Sequence, residues 1–263
     1  MKPSILPWLV LGLVCLPDAD AQSLWTQRSN RAGIRLEFLS PQFKTNSPGF
    51  SYSYSILTLS GRIPFGGVVA AIVEVPMVWE TSRNPISEIS ANDIGNMFIG
   101  IEIGSPESWI FGEVGARPFL RQEMKTSMIG GYLGDFDRFE AYYREVTTYE
   151  LALNVASTER KGFVYRIRVG PTIVTPESNE GTTFIDYGAK AGYDDGSLSL
   201  YGGFTGRAST ESGSGKNVFH HLGFDLGYRL GSVRPAFFIR LPLDKEINET
   251  MPQTIGGSIS VEI

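Results

Sequence analysis

The chain has 263 residues, with 23 Lys and Arg against 28 Asp and Glu and a formal net charge of −5. That acidic balance excludes the basic footprint with which proteins hold nucleic-acid phosphates. The single cysteine, Cys15, excludes a disulfide framework, and nothing beyond the N-terminal segment approaches the roughly 20 consecutive apolar residues that a spanning helix needs.

The first element reads as a leader. Lys2 precedes an apolar run at 5–16, and Ala19-Asp20-Ala21 supplies the small residues of a cleavage site. Residues 1–21 are predicted to be a signal peptide, and 22–263 the mature domain. Cleavage would remove Cys15 and leave no thiol.

From there the chain reads as strands. Over 32–39, Ile34, Leu36 and Phe38 alternate with Arg35 and Glu37, the period-2 pattern of a half-buried strand. In 51–61, Tyr52, Tyr54 and Ile56 hold one parity while Leu57 and Leu59 hold the other; a β-bulge near Ile56 is expected to reconcile them. Residues 68–79 set Val69, Ala71, Val73, Val75, Met77 and Trp79 against Glu74, with Trp79 at the height of an interfacial aromatic girdle. Runs 96–103 and 109–118 follow around a tight turn at 104–107. They place Met97, Ile99, Ile101 and Ile103 on one face and Glu102, Glu113 and Arg117 on the other.

Residues 120–145 break the period. Met124, Met128, Asp135, Asp137, Arg138, Glu140 and the aromatics up to Tyr143 predict the longest surface loop, with room for a short helix. Alternation returns at 149–155 and 163–169, where Arg166 and Arg168 oppose Phe163, Tyr165, Ile167 and Val169. The remaining runs are 183–193, 198–207, 218–230, 234–243 and 255–263, with tight turns at Asp194-Asp195-Gly196 and Gly231-Ser232.

Short links alternate with long ones, and ten to twelve residues at about 3.3 Å each, tilted near 40°, span roughly 25 to 30 Å. In hydrocarbon every backbone polar group needs an internal partner, so strands can cross only as a closed sheet. The pattern predicts one all-β domain, a single antiparallel transmembrane β-barrel of about 12 strands, with 10 or 14 as alternatives. Both ends and the short turns are expected on the periplasmic side. Parity turns Glu74, Glu102, Glu113, Arg117, Arg166, Arg168, Asp186, Lys190, Arg207, Asp225, Arg229 and Arg240 into the lumen as lining candidates, together with Arg35, Glu37, Glu150 and Glu262. The two signs are nearly balanced, which suits cross-strand pairs around a narrow polar pore or a salt-bridged plug.

These runs resemble bacterial outer-membrane β-barrel proteins of the porin-like, small-transporter kind. The likeness is most specific in Ile255-Gly-Gly-Ser-Ile-Ser-Val-Glu-Ile263, which looks like the strand read by the barrel assembly machinery, with Ile263 where an aromatic is usual. Asn96-Met-Phe-Ile-Gly-Ile-Glu-Ile103 and Val114-Gly-Ala-Arg-Pro118 look like strands of such barrels. The resemblance implies the cell outer membrane, contact with its lipid, and passive passage of small polar solutes without a cofactor. A soluble β-sandwich or lipocalin-like barrel shares the alternation, but strands beyond five or six residues and a Gly-, Ser- and Tyr-rich polar face favour the membrane.

The alternative function is a structural or adhesive barrel with a blocked lumen, its outer loops, chiefly 120–145, meeting a partner. A lipid-modifying enzyme would need a base within reach of a nucleophile. Only His220 and His221 are available, the first facing lipid and the second the lumen, and no companion motif accompanies them; no catalytic residue is assigned. Gly213-Ser-Gly-Lys216 lacks the phosphate-loop spacing. Asp135, Asp137 and Glu140 lack that of an EF-hand and read as a solvated acidic loop, so no metal site is expected. Asn248-Glu-Thr250 matches a glycosylation acceptor that has little meaning in a bacterial outer membrane.

Overall fold

The computed structural model describes residues 31–44, 51–83, 85–120, 126–159, 161–177, 180–211 and 218–263. The expected leader, 1–21, and Gly213-Ser-Gly-Lys216 lie outside them. Twelve strands close one antiparallel barrel: β1 (Gly33–Gln42), β2 (Ser51–Phe65), β3 (Val69–Arg83), β5 (Phe98–Ile103), β6 (Ile110–Arg117), β7 (Val146–Ala156), β8 (Gly162–Pro176), β9 (Thr182–Asp194), β10 (Leu198–Ser209), β11 (Val218–Tyr228), β12 (Val233–Pro242) and β13 (Gln253–Glu262). A further strand, β4 (Glu88–Ile94), lies outside that count. Closure comes from β1, which pairs with β2 on one side and with β13 on the other, from Gly33↔Glu262 to Gln42↔Gln253.

The unanticipated strand is β4, and a proline accounts for it. The far half of β3 pairs with β4 and the near half with β5, so β4 and β5 share one wall position interrupted at residues 95–97. Opposite the gap stands Pro76, whose carbonyl still accepts from Gly95 N–H at 2.8 Å, but which has no N–H to return.

Across the middle of the barrel the outward-facing side chains are mostly apolar, as Ile99, Ile101 and Ile103 on β5 and Leu151 and Leu153 on β7 illustrate. Phe65, Trp109, Phe163, Tyr193 and Tyr228 ring the short-turn end, and Trp79 and Tyr149 stand toward the other. That apolar belt between aromatic girdles is the surface of a transmembrane barrel. Among the described residues no helix is long and apolar enough to cross a membrane.

Two expectations are corrected. First, β2 carries no bulge at Ile56: its pairing with β3 runs unbroken from Ser51↔Arg83 to Phe65↔Val69. Tyr54 and Ile56 point inward, while Leu57 and Leu59 point outward. Second, the described part of the 120–145 segment, from Thr126 on, is not a surface loop. It forms helix α1 (Thr126–Gly134) and a 3₁₀ segment (Phe136–Tyr142), and it folds down into the barrel. The two corrections have one cause. Leu39, Ile56, Val78 and Phe238 are apolar residues on the inward parity, and they form a buried cluster with Ala141 and Tyr142 of the segment. The strands thus present an apolar seat inside the lumen, and the segment covers it.

Candidate functional site

The plug is fixed to the wall at three levels. At the backbone, Asn96 N–H donates to the Ala141 carbonyl at 2.6 Å, in the gap that Pro76 leaves between β4 and β5. In packing, α1 comes so close to β2 that a Cβ on Gly130 would lie 1.7 Å from the Tyr54 ring, and one on Gly134 would lie 2.3 Å from Pro41. In charge, arginines of the wall reach carboxylates of the plug. Arg240 of β12 donates to Asp135 at 3.1 Å and to Glu37 of β1 at 3.3 Å. Arg138 of the plug answers with an ion pair to Glu37 and another to Asp135 at 2.9 Å.

Arg207 of β10 donates to Glu140 at 2.9 Å and to both oxygens of Asp186, and its guanidinium lies 4.4 Å above the Phe139 ring. Arg117 of β6 donates to Glu74 at 2.6 Å and Glu150 at 3.2 Å and approaches Glu140 at 3.7 Å. Such groups enter a barrel interior only as pairs, because an ion removed from water without a partner costs several kcal/mol. Around the plug, seven carboxylates (Glu37, Glu74, Asp135, Asp137, Glu140, Glu150, Asp186) meet six guanidiniums (Arg35, Arg117, Arg138, Arg168, Arg207, Arg240). Asp137 has the poorest company, with Arg240 at 3.7 Å and the Thr205 hydroxyl at 3.4 Å. Burial pushes its carboxyl up to about 7, against the pull of Arg240 and with Asp135 adding to the rise.

Beneath the plug the lumen opens. A cavity of about 530 Å³ reaches the short-turn end, where residues 156–159, 196, 231 and 232 form its rim. Arg35, Arg62, Arg166, Lys190 and Arg234 line its wall, with Arg31, Lys161 and Arg229 nearer the mouth, against three carboxylates, Glu159, Asp225 and Glu262. The charged side chains facing the cavity are therefore mostly basic, while carboxylates outnumber guanidiniums around the plug.

Solved structures carry the same architecture. An outer membrane channel from Pseudomonas putida F1 is 8% identical with a TM-score of 0.60, over 94% of this chain and all of that one. The translocator domain of the autotransporter NalP from Neisseria meningitidis is 10% identical with a TM-score of 0.53, over 97% of this chain and 95% of that one. The β domain of the Bordetella autotransporter BrkA is 10% identical with a TM-score of 0.51, over 89% of this chain and all of that one. The fold is that of an outer-membrane β-barrel. No family model matches the chain, and no curated relative does.

Within this barrel the sequence-derived lining residues divide by depth. Glu74, Arg117, Asp186, Arg207 and Arg240 meet the plug or its partners. Glu113 bridges Arg166 at 2.7 Å and Arg168 at 3.0 Å, and Glu102 accepts from Arg62 at 3.0 Å. Lys190 and Asp225 line the vestibule, with Arg229 beyond the end of β11 at its mouth. Sequence reading passed over Arg62 and Arg234, although both continue the inward parity of their strands, from Ser60 and from Ala236.

Asp135 and Glu140, read as solvated, are buried and paired with arginine. Among the described residues no cluster of His, Cys, Asp and Glu is arranged to hold a metal ion. His221 points inward beside the Phe136 ring. His220 sits on the outer face, where its ring stacks on Phe204 and its Nε2 lies 2.8 Å from the Tyr187 hydroxyl.

Proposed function

We propose that the barrel resides in the outer membrane and is a channel for small polar solutes, closed at its outer half by its own plug. The observation that carries this reading is the divided lumen: an open cavity faced by charged side chains occupies the short-turn end and a segment held by ion pairs fills the other, where a purely structural barrel would need only a packed interior. A strand-based wall has one stable closed form, whereas a loop seated through charge pairs has a second state in which those charges meet water instead. The Pseudomonas putida neighbour, itself a channel, supports the assignment. On this reading the short turns face the periplasm, the belt meets outer-membrane lipid, and β13, with Ile259 and Val261 outward, is the strand offered to the barrel assembly machinery.

The number of ion pairs on the plug favours a second reading, a permanently blocked barrel that works through its outer loops. Conductance in planar bilayers separates the two. Removing Arg207 leaves Glu140 and Asp186 buried without their main cation, a loss of roughly 3–5 kcal/mol, divided between plug and wall. Intact protein is expected to show rare or brief openings, and Arg207→Ala frequent ones. Silence from both proteins, each folded as judged by heat-modifiable migration, would refute the channel.

A further inference from the structure

We propose that the vestibule at the short-turn end is a binding site for small organic anions bearing two or more carboxylate or phosphate groups. That the same ligands then pass through the barrel rests on the channel reading above; the binding site does not.

Arg35, Arg62, Arg166 and Arg234 each pair with an acid: Glu37 at 2.8 Å, Glu102 at 3.0 Å, Glu113 at 2.7 Å and Asp194 at 2.7 Å. None of those four acids lines the cavity, while all four arginines do. Each carboxylate therefore holds its guanidinium in place, and of each pair only the arginine lines the cavity; Asp225, which lines it too, stands in the field of Lys190, Arg35 and Arg234. A guanidinium has five N–H donors in a rigid fork matched to carboxylate and phosphate oxygens. Held in place beforehand, it loses little side-chain entropy when a ligand arrives.

Lys190 is oriented differently, its ammonium 4.5 Å over the Tyr201 ring. Tyr201 is itself pinned, its hydroxyl donating to Asp194 at 3.0 Å. The cations come from β1, β2, β8, β9 and β12 and so stand on different sides of the lumen. A single monovalent ion would meet only some of them, whereas a ligand with several anionic groups spans the ring. The volume suits it, since sites for small molecules run from roughly 300 to 1,000 Å³. A low-dielectric wall around a charged cleft also focuses the field and raises the local concentration of counter-charged solute.

The test is calorimetric titration of the folded, detergent-purified protein with citrate and with fructose 1,6-bisphosphate, using mannitol and spermidine as controls. Both anions are expected to bind, the tighter one naming the preferred headgroup, and binding should weaken as salt rises. Lys190→Glu should weaken it roughly tenfold or more. Arg229→Glu at the mouth serves as a second variant, with folding checked by heat-modifiable migration. Citrate and the bisphosphate binding no better than mannitol, spermidine binding as well as either, or both folded variants binding like the intact protein would each overturn the site. Bilayer recordings keep the two proposals apart. Anion binding by a barrel that never conducts would end the channel reading and leave the site standing; a conducting barrel indifferent to both anions would do the reverse.

Discussion

Asp137 and Asp135 lie two positions apart in the 3₁₀ segment and its cap, yet they meet different electrostatic conditions. Asp135 has Arg138 at 2.9 Å and Arg240 at 3.1 Å, and Asp137 has its nearest guanidinium at 3.7 Å. Desolvation wins at Asp137, and its carboxyl titrates near 7 while the plug is seated. In water an aspartate loses its proton at about 3.9. Between those values the seated plug holds a proton that the released plug does not, so seating is strongest in acid and weakens as pH rises through that window. Channel opening in bilayers should accordingly increase from pH 5 to pH 8. Asp137→Asn, which cannot ionise, should abolish the increase; a wild-type response flat over this range would show that the group does not control seating.

At the scale of elements, α1 and β2 were made to approach. Gly130 leaves no room between the helix and Tyr54, so Gly130→Leu cannot be absorbed by a small shift and should unseat the plug while the ladder of β2 remains paired. More frequent openings with an unchanged heat shift on a gel are the expected pair of results, and a closed, correctly folded variant would contradict the seat described here. The strands themselves were legible from sequence, because one residue per face per two positions is a local rule. The plug was not, because what buries it is remote. Glu37 and Arg138 are 101 positions apart, and Glu37 and Arg240 are 203 apart; Arg138 is the one guanidinium near Asp135 and Glu140 in the chain, and nothing there announces Arg207 or Arg240. One local trace did exist. Tyr54 and Ile56 placed apolar side chains on the polar parity of β2, a misfit that a bulge would explain equally well and that only the seated segment resolves. The break between β4 and β5 left a similar trace in Pro76, a residue disfavoured inside a paired strand.

For the whole molecule, the belt of outward residues sets what the barrel tolerates from its solvent. Leu151 stands at the centre of β7, more than half exposed to the surroundings. Leu151→Arg should cost about 2–4 kcal/mol in a bilayer, where an arginine near the midplane is most expensive. Urea unfolding from lipid vesicles would register that loss, and a stability unchanged in lipid would mean that this face does not meet hydrocarbon. Inside, the sixteen charges assigned by parity balance in sum and at each depth; the bias comes from residues outside that set, Asp135, Asp137 and Glu140 of the plug and Arg31, Arg62, Lys161 and Arg234 around the vestibule, which leave carboxylates in excess at the plug and basic side chains facing the cavity. Two oppositely charged stretches in series along one narrow conduit are the ionic counterpart of a semiconductor junction. Mobile anions gather at one end and mobile cations at the other; one polarity of voltage drives both toward the boundary and the other depletes it. On the channel reading proposed above, that axial order predicts a current that is unequal for equal and opposite voltages even when the solutions on either side are the same.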